Sequence, residues 1–146
     1  VGGFMGNYKY ILVPIVTLIL SQLIKFILES IKCHKLVWGR LFNGSGGMPS
    51  SHTSLCISIT TLVGLNLGFD SPLFGVSLVF SLIIMYDAMG LRMQSGKHAE
   101  AINKLLDQVF VDDNYKHLKE QLGHKPMEVL GGIIFGIASA ILLNMI

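Results

Sequence analysis

The stretch Pro72–Leu91, PLFGVSLVFSLIIMYDAMGL, runs for 20 residues with a single charged side chain, Asp87. About 20 apolar residues in helical form cross the hydrocarbon core of a bilayer. In that core, backbone N–H and C=O groups must be satisfied within the segment itself, which selects the helix. Outward from this span lie three more blocks of similar length, at about Tyr10–Ile31, Pro49–Leu67 and Pro126–Ile146. The whole chain agrees, with 51% hydrophobic residues, only 14% charged residues and a mean hydropathy of +0.61. That balance excludes an ordinary soluble domain. The expectation is an all-α polytopic membrane bundle, a single membrane domain over residues 1–146. It has about four transmembrane helices (about 10–31, 49–67, 72–91 and 126–146) and a cytoplasmic amphipathic helix in the segment 93–125. The first block is too long for a signal core and ends in Lys25, Glu29 and Lys32, so it reads as a span and not a cleaved signal.

The second block is the least apolar, carrying Ser50, Ser51, Thr53, Ser54, Ser58, Thr60 and Thr61. Small hydroxyl residues let membrane helices approach closely, so this span is expected to face other helices. Charge sets the orientation. Lys32, Lys35 and Arg40 follow the first span, and Arg92, Lys97, Lys104, Lys116, Lys119 and Lys125 follow the third. These nine of the eleven basic residues fall on one side, against Lys9 on the other, while Lys25 lies inside the first span. The positive-inside rule places both long connections in the cytoplasm and both termini outside. Cys33 and Cys56 form neither a disulfide framework nor a zinc spacing. Membrane is therefore the expected partner, and no nucleic acid is expected.

The connection 93–125 holds a helical period. Ala101, Ile102, Leu105, Leu106, Val109 and Phe110 occupy one face, and Lys97, Glu100, Lys104 and Asp107 another. The pattern predicts an amphipathic helix over 97–110, lying on the cytoplasmic membrane face or packing over the bundle as a structural lid. A second short helix is expected over Asp113–Leu122.

Polar residues gather at the cytoplasmic ends of the spans. The run Gly46-Gly47-Met48-Pro49-Ser50-Ser51-His52 places proline at an expected first helical position. The N–H groups of Ser50, Ser51 and His52 are then left open toward an anion. Lys25 and Lys32 stand seven residues apart, on one helix face. Tyr86, Asp87 and Arg92 close the third span, and His124 and Glu128 begin the fourth. Ionisable groups at membrane depth mark a functional site by default. Several cations, a helix N-terminus and two histidines suit phosphoryl transfer. Cations neutralise the phosphoryl oxygens, one histidine attacks phosphorus, and the other protonates the leaving alkoxide. Glu128, four residues after His124, is placed to hold its imidazole in a helical first turn.

Four segments, GGMPSSH at 46–52, MYDA at 85–88, GLR at 90–92 and LGHKPMEV at 122–129, together resemble the divergent, small membrane branch of the type 2 phosphatidic acid phosphatase superfamily. That superfamily also contains the vanadium-dependent haloperoxidases. Its first motif is lysine, six residues, then Arg-Pro. Lys25 and Lys32 take the two cationic positions here, Cys33 stands in place of proline, and Arg40 is a substitute for the lost guanidinium. Its Pro-Ser-Gly-His motif is matched by Pro49-Ser50-Ser51-His52, which carries the role of general acid to His52. The second half of its third motif, histidine, three residues and aspartate, is matched by His124 and Glu128. The resemblance makes His124 the nucleophile and Glu128 its orienting partner. No Ser-Arg precedes His124, and Arg92 is the replacement. Asp87 has no counterpart, which leaves either a metal or a structural pairing with Arg92.

The resemblance implies an integral membrane phosphatase of the bacterial cytoplasmic membrane. It would act on a lipid phosphate monoester or pyrophosphate through a phosphohistidine, with the site facing the cytoplasm. Lys25, Lys32 and Arg92 would clamp phosphate above Ser50 and Ser51. No cofactor is expected, and phosphate or vanadate would occupy the site. Two alternatives stand beside this reading: a metal-dependent enzyme or transporter using Asp87, His52 and Glu128, and a noncatalytic lipid-phosphate-binding or scaffold protein. Gly132, Gly136 and Ala140 form a small-residue face suited to helix packing or to a homo-oligomer.

Overall fold

A computed structural model describes residues 6, 8–34, 36, 47–109, 116–120 and 122–145. Among these there are five helices and no strand: α1 (Lys9–Cys33), α2 (Ser51–Leu67), α3 (Pro72–Met89), α4 (Leu91–Val109) and α5 (Pro126–Asn144). Prolines open α3 and α5, each at the first turn, where no N–H is needed. Ser71 caps α3 by accepting the Phe74 N–H at 3.2 Å. Three helical runs, α1, α3 with α4, and α5, are long and apolar enough to cross a membrane.

The fourth expected span, α2, is 17 residues long and is the axis of the bundle. It packs against α1, α3 and α5 and buries ten of its residues, among them Ser51, Thr53, Ser54, Ser58 and Thr60. Lipid is held off by its neighbours, so α2 tolerates hydroxyls that would be costly facing acyl chains. They bond within the protein. The Thr60 and Ser81 hydroxyls are 2.9 Å apart across α2 and α3, and Ser54 Oγ donates to Ser50 O at 2.8 Å.

Gly132 and Gly136 lie against α2. A Cβ at position 132 would stand 2.8 Å from Ser50 O and Thr53 Cβ, and one at 136 would stand 2.7 Å from Ser54 O. Ala140 is fully buried. The small-residue face is thus occupied inside the chain, by α2, and is not available to a second copy.

The helices run up and down. Lys9, Asn66 and Asn144, from the start of α1 and the ends of α2 and α5, are joined at one end of the bundle. Lys9 Nζ donates to Asn66 Oδ1 and, at 3.3 Å, to Asn144 Oδ1, and Asn66 Nδ2 donates to Asn144 Oδ1 at 3.1 Å. The last turns of α1 and α3 and the first turns of α2 and α5 therefore share the opposite end.

Three expectations change in detail. Pro49 is not the first residue of α2. Ser50 is the N-cap, held extended, and its N–H donates to Glu128 O at 3.0 Å. The amphipathic helix starts at Leu91, not 97, because the helical bonding runs on through Gly90: Gly90 N–H to Tyr86 O at 2.8 Å, then Gln94 N–H to Gly90 O at 3.0 Å. Among the described helices it packs on α3 alone. Within the expected helix 113–122, residues 116–120 and 122 are not helical. Their backbone bonds instead to a side chain of α4, since Asn103 Oδ1 accepts the Leu118 N–H and Asn103 Nδ2 donates to Leu118 O, each at 2.9 Å.

Candidate functional site

α1 presents Lys25, Leu28, Glu29 and Lys32 along one face, at the i, i+3, i+4 and i+7 spacing of a helix. Facing them are Gly47, Met48, Gly123, His124, Lys125 and Glu128. Between the two walls lies a cleft of about 650 Å³. Of the residues picked out by the sequence, Lys25, Lys32, His124 and Glu128 line this cleft. Lys25 is buried at 3% exposure, roughly 12 Å short of the end of α1 at 1.5 Å per residue. Its ammonium group therefore lies within the bundle and not at its rim.

His124 is also buried, at 3% exposure, and neither ring nitrogen has a hydrogen-bond partner among the described residues. Its backbone N–H donates to Ala88 O at 3.0 Å, which fixes it against α3. Burial, reinforced by the Lys25 charge, pushes the imidazole down to about 4, against the opposing pull of Glu128. At neutral pH His124 is uncharged and offers a lone pair. The sign of the pH effect follows. The unfolded chain takes up this proton near pH 6.5 and the folded chain only near 4. Stability is therefore full above 6.5 and lost as pH falls toward 4. Denaturation at pH 7 and pH 5 should show a larger acid loss for wild type than for His124→Phe.

His52 is exposed at the first turn of α2, outside the cleft wall but within electrostatic reach of Lys25, Arg92, Asp87 and His124. Ser51 is fully buried, and its Oγ has no partner among the described residues. Ser50 is engaged elsewhere, its N–H on Glu128 O and its Oγ accepting from Thr53 at 2.9 Å. The open amides at this helix start are those of Ser51, His52 and Thr53. Arg92 Nε pairs with Asp87 Oδ2 at 2.7 Å, using one of the five guanidinium N–H donors. This is the structural Asp87–Arg92 pairing. No cluster of three His, Cys, Asp or Glu able to hold a metal exists among the described residues. Arg40 and Gly46 lie outside those residues.

Glu128 departs from its expected place. Oε1 accepts the Gly47 N–H at 3.2 Å and Oε2 accepts the Lys125 N–H at 3.1 Å. The carboxylate thus ties the chain before α2 to the start of α5 and makes no bond to His124. A glutamate at the third helical position naturally reaches back to the cap N–H, and that competes with reaching His124. Sequence reasoning passed over Glu29, which spacing from Lys25 would have found. It also passed over Gly123, whose φ of +101° forms the turn that delivers His124.

Fold and site together define a polytopic helical membrane protein with a cation-walled cleft and a buried, unprotonated histidine. The divergent PAP2 family matches residues 6–139. The chain belongs to that family. An uncharacterized membrane protein of Bacillus subtilis strain 168, YuiD, is 38% identical over 91% of this chain and 92% of its own length. No solved structure was found to match.

Proposed function

We propose that the protein is a phosphatase of the bacterial cytoplasmic membrane, hydrolysing a lipid phosphate monoester or pyrophosphate at the cytoplasmic face. The observation that carries this reading is His124, buried, uncharged and with both ring nitrogens open in a cleft walled by Lys25 and Lys32. A His124 nitrogen attacks phosphorus. The N–P bond forms as the P–O bond to the lipid breaks, and His52 gives its proton to the departing oxygen. Water, deprotonated by His52, then attacks the phosphohistidine and releases inorganic phosphate and neutral His124. Lys25, Lys32, Arg92 and the amides opening α2 stabilise the phosphoryl oxygens, and vanadate competes as a phosphate mimic. The test is phosphate release from a panel of lipid phosphates by wild type, His52→Ala and His124→Ala in liposomes. Equal release by all three ends the reading.

The cytoplasmic orientation is separately testable. Cys33, beside the cleft, should react with an impermeant maleimide only from the cytoplasmic side. A cysteine replacing Asp70, in the turn between α2 and α3, should react only from outside. Reaction of position 70 from the cytoplasm overturns the topology.

One observation favours a second reading, noncatalytic phosphate binding. The Glu128 carboxylate bonds two backbone amides and leaves His124 without an orienting carboxylate. Vanadate binding without turnover on any lipid phosphate would select it.

A further inference from the structure

His124 is reached by a chain that leaves the bundle and returns. α4 carries the backbone away from α3, and residues 116–120 and 122–124 come back along it. The buried residues of α4 are Gly96, Ala99 and Asn103, one face at i, i+3 and i+7. That face holds the returning chain at successive levels. Asn103, 2% exposed, bonds Leu118 N–H and O, each at 2.9 Å, and its Nδ2 also donates to Glu120 Oε1 at 2.8 Å. Gly96 lies under Glu120 and Leu122, so close that a Cβ there would collide with Glu120 O and stand 3.1 Å from Leu122 O. A Cβ on Gly123 would stand 2.6 Å from Met93 N. His124 N–H then reaches Ala88 O at 3.0 Å.

On the way, the Leu122 N–H donates to Glu120 O at 2.8 Å and Gly123 turns at a φ of +101°. The returning chain is thus held at Leu118 and Gly123 against α4, and at His124 against α3. Among the described residues no helix or sheet ladder of its own holds this chain, so its placement depends on the bonds that α4 and α3 give it.

We propose that Asn103 is a positioning residue for His124, gripping the returning chain at Leu118, six residues earlier, so that the imidazole is seated in the cleft. Its side-chain amide supplies a donor and an acceptor in one plane, the pair that a neighbouring strand would supply to Leu118. The catalytic consequence rests on the phosphatase reading, but the seating itself does not.

The test reads His124 directly, on the full chain in micelles, by diethyl pyrocarbonate modification mapped by mass spectrometry. In wild type the exposed His34, His98 and His117 are modified and His124 is spared. Asn103→Ala should raise His124 modification at least tenfold, toward that of His98. Buried Cys56 must stay unreactive to maleimide, which reports that the bundle is folded. Unchanged His124 protection with Cys56 protected overturns the proposal. If Asn103→Ala exposes Cys56, Asn103→Asp decides by the same readout. That variant is isosteric, keeps the acceptor for Leu118 N–H and loses both donations, so exposed His124 supports the proposal and spared His124 overturns it. None of these outcomes depends on turnover. If the chain does release phosphate, Asn103→Ala should lower that release in wild type and leave His124→Ala no further to fall.

Discussion

Replacing His124 with alanine should lower phosphate release at least about a thousandfold, since His124 is the one histidine among the described residues lining the cleft. His52→Ala should cost about 10²–10⁴-fold on a lipid phosphate, the range for a lost general acid or base. The two variants separate further on the leaving group. A nitrophenyl phosphate needs little protonation of its departing oxygen, so His52→Ala should recover much of its first-step rate there. His124→Ala should stay inactive on both substrates. Acid-labile radiolabel on the protein, seen in His52→Ala and absent in His124→Ala, would place the N–P bond. Equal loss in both variants on both substrates would remove the distinction between nucleophile and acid.

The second large effect is structural. Gly132→Leu should abolish the folded bundle, and Gly132→Ala should destabilise it by about 1–3 kcal/mol, the usual range for overpacking. The nearest atoms to the added carbon belong to Ser50 and Thr53, and Ser50 O is backbone that cannot swing aside. Gly136 faces the same limit, with Ser54 O at 2.7 Å and Ile57 Cβ at 3.0 Å. Gly75 on the exposed face of α3 is the control, since nothing lies within 4 Å of its Cβ position. Gly75→Ala should be neutral or stabilising by up to ~1 kcal/mol. Thermal unfolding in a fixed detergent, with Cys56 reactivity as the readout, ranks the three. Because Ser50 caps α2, Gly132→Ala should also lower phosphate release more than its stability loss alone accounts for.

The spans were legible because apolar length and proline position are local signals. Pro72 and Pro126 each open a helix as expected. Pro49 carries the same signal and is displaced, because Ser50 N–H bonds Glu128 O, a contact 78 residues away in sequence that no local pattern announces. The small-residue face on α5 was visible, but its partner was not, since helix packing within and between chains calls for the same glycines. Lys25 and Lys32 were readable as one face of α1 from their spacing. Glu128 was misplaced for the opposite reason. Four residues put it in reach of His124, yet three put it in better reach of the Lys125 amide. Asn103 gave no signal at all. An asparagine beside charged residues on an amphipathic helix reads as a solvated side chain until the returning backbone is seen against it.

The join of Lys9, Asn66 and Asn144 lies at one end of the bundle, and the cleft opens at the other. The tie at Lys9 makes α1 a lever arm that reaches the cleft. From Lys9 to Lys25 is about 24 Å of helix at 1.5 Å per residue. A tilt of α1 by roughly 5° about its fastened end therefore carries the Lys25 ammonium about 2 Å toward or away from His124, while the fastened end barely stirs. The position of Lys25 along the cleft is thus sensitive to three polar side chains at the opposite end of the bundle, none of which lines the cleft.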